Sequence, residues 1–125
     1  MSQTENLVEN LVDKFQKNGL DVLYAKCNGY PEPVEVQGAV PDVVAWDSFK
    51  ELYHLGVVAD SQSIRTDETK EKMNVLSKMM MSKGASEGKL LPLYLGVKQD
   101  ASEIADQRIQ DTTLESQNNI QKIII

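Results

Sequence analysis

The sequence predicts an α/β protein, a mixed β-sheet covered by helices, built as a single domain over residues 1–125. Three observations predict it. Apolar residues near the N-terminus recur at three- and four-residue steps, the mark of a helix with one buried face. Short β-prone runs lie between clusters of glycine, proline, asparagine and aspartate, the marks of strands and their turns. The two kinds of segment interleave in the order helix, three strands, helix, strand, helix, strand, which calls for a sheet with helices laid against it. A length of 125 residues suits one core, and neither an internal repeat nor a low-complexity linker divides it.

The first element is the clearest. Leu7, Val8, Leu11, Val12 and Phe15 form one face, with Glu5, Glu9, Asp13, Lys14 and Lys17 between them, so a helix is predicted over 4–18. Asn18-Gly19 suits its end, because glycine takes the left-handed conformation without steric cost. Asp21-Val22-Leu23-Tyr24-Ala25 is a short β-prone run between breakers and reads as a strand. In the loop that follows, Pro31 and Pro33 forbid a central strand, and Val34-Glu35-Val36 before Gly38 adds at most a short edge piece. Pro41-Asp42-Val43-Val44-Ala45-Trp46 resumes strand character, Asp47-Ser48 turns, and residues 51–59 pair back as a hairpin. The nearly continuous apolar second half of that run predicts burial on both faces.

Residues 66–83 are predicted helical, with Met73, Leu76 and Met80 on one face, Thr66 and its acidic neighbours Asp67 and Glu68 at the start, and Gly84 and Gly88 beyond the end. Residues 90–97 read as a buried strand with Pro92 near its end. Asp100 followed by Glu103 resembles a capping box. It opens a helix that turns Ile104, Ala105 and Ile109 inward and runs to about residue 117. Residues 120–125 form a last strand.

Composition narrows the function. Hydrophobic residues at 41% and charged residues at 26% exclude a disordered chain. A net charge of −6 makes the molecule as a whole repel nucleic acid and anionic membrane, so any such binding is local. Basic residues number 4 against 10 acidic in 1–64, 6 against 4 in 65–89, and 3 against 5 in 90–125, so positive charge concentrates around the middle helix. The lone Cys27 forms no internal disulfide, and the polar start Met1-Ser2-Gln3-Thr4-Glu5-Asn6 lacks the features of a secretory signal, which predicts a cytoplasmic protein. No apolar run approaches the ~20 residues that span a bilayer, so no membrane partner is expected.

The element order, together with the phrase Pro41-Asp42-Val43-Val44-Ala45-Trp46, resembles the PD-(D/E)XK nuclease superfamily, the restriction-endonuclease-like fold that includes archaeal Holliday-junction resolvases. The resemblance covers about residues 5–97 and implies a restriction-endonuclease-like mixed sheet in the order α-β-β-β-α-β-α-β. It also implies a glutamate from the first helix, met here by Glu9 or, one turn earlier, Glu5. The aspartate after the proline is Asp42. Where the family carries Glu-X-Lys, this chain has Val57 in place of the glutamate and Ala59 in place of the lysine.

That departure removes chemistry. Phosphodiester hydrolysis by this arrangement needs carboxylates converging on Mg²⁺ and a cation near the attacking water. Residues two apart on a strand share a face, so Val57 and Ala59 would put apolar wall where a ligand and an ammonium belong. The expectation is a vestigial pocket of Glu9, Asp42, Val57 and Ala59, with no metal site and no cofactor, and a protein that binds and does not cut. The alternative is an active Mg²⁺-dependent endonuclease or resolvase with displaced residues, drawn from Arg65, Lys70, Lys72, Asp60 or Glu51. The resemblance further implies a homodimer, with the apolar 120–125 segment as its candidate interface. The remaining partner is structured DNA, or a protein of a DNA-processing complex, which the acidity favours.

Other features carry less. Arg65, Lys72 and Lys83 fall on roughly one helical face and are the candidate nucleic-acid contacts, against a plain solvated face paired with Glu68 and Glu71. His54 has no chelating neighbour and reads as a strand histidine. Cys27 ends a strand and reads as an ordinary thiol, and Met79, Met80 and Met81 read as helix packing. No GxGxxG or Walker pattern is present.

Overall fold

A computed structural model describes residues 3–125, with side chains from Asn6 onward. Helix α1 (Gln3–Lys17) leads into β1 (Asp21–Ala25), β2 (Val43–Asp47) and β3 (Leu52–Val58). Helix α2 (Asp67–Leu76), strand β4 (Leu93–Val97), helices α3 (Ser102–Gln110) and α4 (Leu114–Asn119), and strand β5 (Ile120–Ile124) complete the chain. The five strands form one mixed sheet in the order β1-β2-β3-β4-β5. β1, β2 and β3 pair antiparallel, and β3, β4 and β5 run parallel.

The sheet separates two cores. On one face Leu7, Val8, Leu11, Val12 and Phe15 of α1 pack on Val43, Ala45 and Val58. On the other, Ile64, Met73 and Leu76 join Leu55, Val57, Ala59, Leu93 and Leu95, with Ala101 and Ala105 from the α3 side. β3 therefore feeds alternate side chains into both cores, as its apolar run predicts. Gly56 lets α1 lie close, since a Cβ there would stand 2.6 Å from Leu11 Cδ2 and 3.3 Å from Phe15 Cζ.

Two helices are shorter than the sequence predicts. α2 stops at Leu76, not Lys83. The buried Ser77 hydroxyl donates to the Ser116 hydroxyl at 2.8 Å, and Asn119 Nδ2 donates to the Ser77 carbonyl at 2.8 Å, so contacts from α4 end the helix. Met79, Met80 and Met81 thus lie on a loop, tied by an isolated Met80–Leu90 bridge to the segment that leads into β4. The predicted helix to residue 117 breaks in two, with Thr113 as the cap of α4, its Oγ1 accepting from the Ser116 N–H. Residues 34–36 make no strand beyond a Val36–Ala39 bridge. Among the described residues, no helix is long and apolar enough to cross a membrane.

Candidate functional site

The candidate site lies where β2 begins and β3 ends. The β2–β3 ladder runs from Asp47–Leu52 to Val43–Gly56, and Asp42 sits just beyond its last pair. There the Asp42 N–H donates to the Gly56 carbonyl at 2.8 Å, while Asp42 Oδ2 accepts the Val58 N–H at 2.8 Å. The side chain thus continues the ladder by one bond. Its other oxygen, Oδ1, lies 3.3 Å from Lys26 Nζ, at the end of β1, and 3.4 Å from Lys72 Nζ, on α2. One carboxylate facing two ammonium groups leaves the cluster with a local charge of +1, and Asp42 itself is only 3% exposed.

Val57 and Ala59, each 1% exposed, pack into the core under α2 and α3, and Val58 turns to the α1 side. They are wall, not the floor of an open pocket. Glu9 is exposed on α1, with neither an ion pair nor a hydrogen bond to Asp42. The Glu5 side chain lies outside the described residues. Among the described residues no three of His, Cys, Asp and Glu converge as metal ligands. Asp60 Oδ1 accepts the N–H groups of Gln62 and Ser63 and so holds the turn into a 3-10 segment at Ser63–Arg65. Those bonds keep the Asp60 carboxyl below its ordinary range. Glu51 lies at the opposite, hairpin end of the sheet, and Lys70 is exposed on α2.

The candidate nucleic-acid contacts do not share a helical face. Lys72 meets Asp42, whereas Arg65 lies in the turn before α2, where its Nε donates to the Ser61 carbonyl at 3.1 Å. Because α2 ends at Leu76, Lys83 falls in the next loop, beside Glu51 and Tyr53 at the hairpin end. Lys26 has no counterpart in the sequence reading. Its signal was the antiparallel return of β2 along β1, which sets the Lys26 N–H 3.0 Å from the Asp42 carbonyl.

A second polar cluster lies on the α1 face. His54, 4% exposed, places Nε2 3.1 Å from Asp47 Oδ2 and Nδ1 3.1 Å from the Tyr94 hydroxyl, with its ring stacked on Tyr94. The N–H groups of Lys50 and Phe49 both donate to Asp47 Oδ1 at 3.0 Å, and the Lys50 bond leads in drawing the Asp47 carboxyl below its usual value. Burial presses the His54 imidazole below its own usual value against the pull of Asp47. Burial also raises the Tyr94 phenol. These directions assign an ionised Asp47 and a neutral His54, whose Nε2–H donates to the carboxylate while Nδ1 accepts from Tyr94. The strand histidine of the sequence reading is thus the centre of a buried relay that also ties the hairpin turn to β4.

Comparison with known proteins gives no match to a family model, a curated protein sequence or a solved structure.

Proposed function

We propose that the chain is a catalytically degenerate PD-(D/E)XK nuclease-like protein that acts by binding and not by cleavage. One observation carries the reading: the Asp42 carboxylate is taken up by the Val58 N–H and by the ammonium groups of Lys26 and Lys72. A Mg²⁺ ion would have to displace both lysines and would find one carboxylate where it needs several fixed oxygens. The element order supports the family reading, since α-β-β-β-α-β is the order that the resemblance implies over about residues 5–97; beyond it two short helices stand where one was expected before the last strand. The net charge of −6 favours a protein partner in DNA processing over structured DNA. A second copy of the chain would meet it along the edge strand β5, where Ile124 is 38% exposed. The expected compartment is the cytoplasm.

Incubation with four-way-junction DNA in Mg²⁺ or Mn²⁺, read on a denaturing gel, tests the proposal. The expected result is intact DNA, with a band shift only if DNA is the ligand. Metal-dependent cleavage lost on Asp42→Ala would overturn it. That outcome would favour the alternative of an active Mg²⁺ endonuclease, for which Lys72, reaching Asp42 from α2, is the supporting observation.

A further inference from the structure

We propose that the open hollow at the hairpin end of the sheet binds a lipophilic organic cation, a quaternary ammonium head on a single alkyl chain. The hollow encloses about 550 Å³, inside the range of about 300–1,000 Å³ usual for small-molecule sites. It lies on the α2 face of the sheet, beyond the end of the shortened helix, between β1–β3 and the loop that carries the three methionines. Trp46 and Tyr53 pair across the β2–β3 ladder with ring centroids 4.9 Å apart and planes at 64°, so they form two walls of a corner. Tyr24, 37% exposed, supplies a third aromatic ring.

Three aromatic rings line the one hollow, and the negative quadrupole of such rings is the recognised means of holding a quaternary ammonium group. Glu51 lines the hollow as its one carboxylate, with Lys83 as the one ammonium of the lining, and Asp21 pairs with Trp46 in the neighbouring ladder. Met79, Met80 and Met81 provide a polarisable, adaptable wall for an alkyl chain, and Met80 is 50% exposed. The site shares no residue with the Asp42 cluster, so the inference stands or falls separately from the proposed function.

Trp46 is the only tryptophan in the chain, so its fluorescence reports on the hollow. The probe is decyltrimethylammonium held below its micelle-forming concentration, compared with decyl sulfate and decyl maltoside. The expected result is a saturable change in Trp46 emission with the cation, at an affinity about tenfold above either comparator. Tyr53→Leu should weaken cation binding about tenfold, Glu51→Gln severalfold, and Lys83→Ala should strengthen it. Circular dichroism checks that Tyr53→Leu folds, and the surface changes Glu51→Gln and Lys83→Ala keep the test decisive if it does not. Equal or tighter binding of decyl sulfate, a change that never saturates, or indifference to Glu51→Gln and Lys83→Ala together would overturn the proposal.

Discussion

Asp42 joins three elements through four oxygen contacts, two from its backbone neighbourhood and two from lysines, and that is a structural role before it is a functional one. Asp42→Ala leaves the buried Val58 N–H without its acceptor and two ammonium groups without a counter-charge. Both lysines are partly exposed and can turn to water, so the expected loss is about 2 kcal/mol, read as a lower urea midpoint. The relay at His54 makes stability depend on pH. Because folding holds the imidazole below its ordinary value, the unfolded chain binds the proton more readily, and stability falls as pH drops below about 6.5. Asp47 and Asp60, both depressed, add a further loss once pH passes below the ordinary carboxylate range. Urea midpoints measured from pH 7.5 to 5 should decline, and His54→Gln should flatten that first step; a flat wild-type profile would contradict the assignment. Asp42 was legible in the sequence because a Pro-Asp pair ahead of an apolar strand has a meaning in the family resembled. The Asp47–His54 pair was not, since their meeting depends on hairpin register: His54 pairs with Ala45 and Asp47 with Leu52, which puts the two acting side chains on a diagonal.

Helix α1 depends on one strand residue for its seat. Gly56 lies under Leu11 and Phe15, and a larger residue there must push the Leu11 side chain and the Phe15 ring aside. Gly56→Val is expected to cost about 3 kcal/mol, measured by chemical denaturation, and an unchanged midpoint would mean that α1 does not lie as described. The spacing of Leu7 to Phe15 made α1 readable, since its whole apolar face meets one sheet. The end of α2 was not readable in the same way. Met80 continues the helical spacing of Met73 and Leu76, but Ser77 is captured by Ser116 and Asn119, more than thirty residues away. The break between α3 and α4 had a local signal in Thr113, a residue able to cap a helix three residues before Ser116, but Ile109 and its neighbours carried the helical pattern up to it.

At the scale of the molecule, the alternation of helical and strand segments was enough to predict a mixed sheet between helices, and the observed strand order follows the chain without rearrangement. Charge distribution was legible as a sum and misleading as a surface. The basic middle of the sequence disperses: Arg65 lies in a turn, Lys72 pairs with the buried Asp42, and Lys83 lies on a loop at the far end of the sheet. The sheet therefore carries two separate features at its two ends, a closed cationic cluster around Asp42 and an open aromatic hollow beside Glu51. The most direct measurement of the closed end is a crystal soaked in Mn²⁺ and recorded at a wavelength where manganese scatters anomalously. No anomalous peak is expected within bonding distance of Asp42, with Lys26 and Lys72 still seated on its carboxylate; a peak there, with the lysines displaced, would mean that the carboxylate still serves a metal.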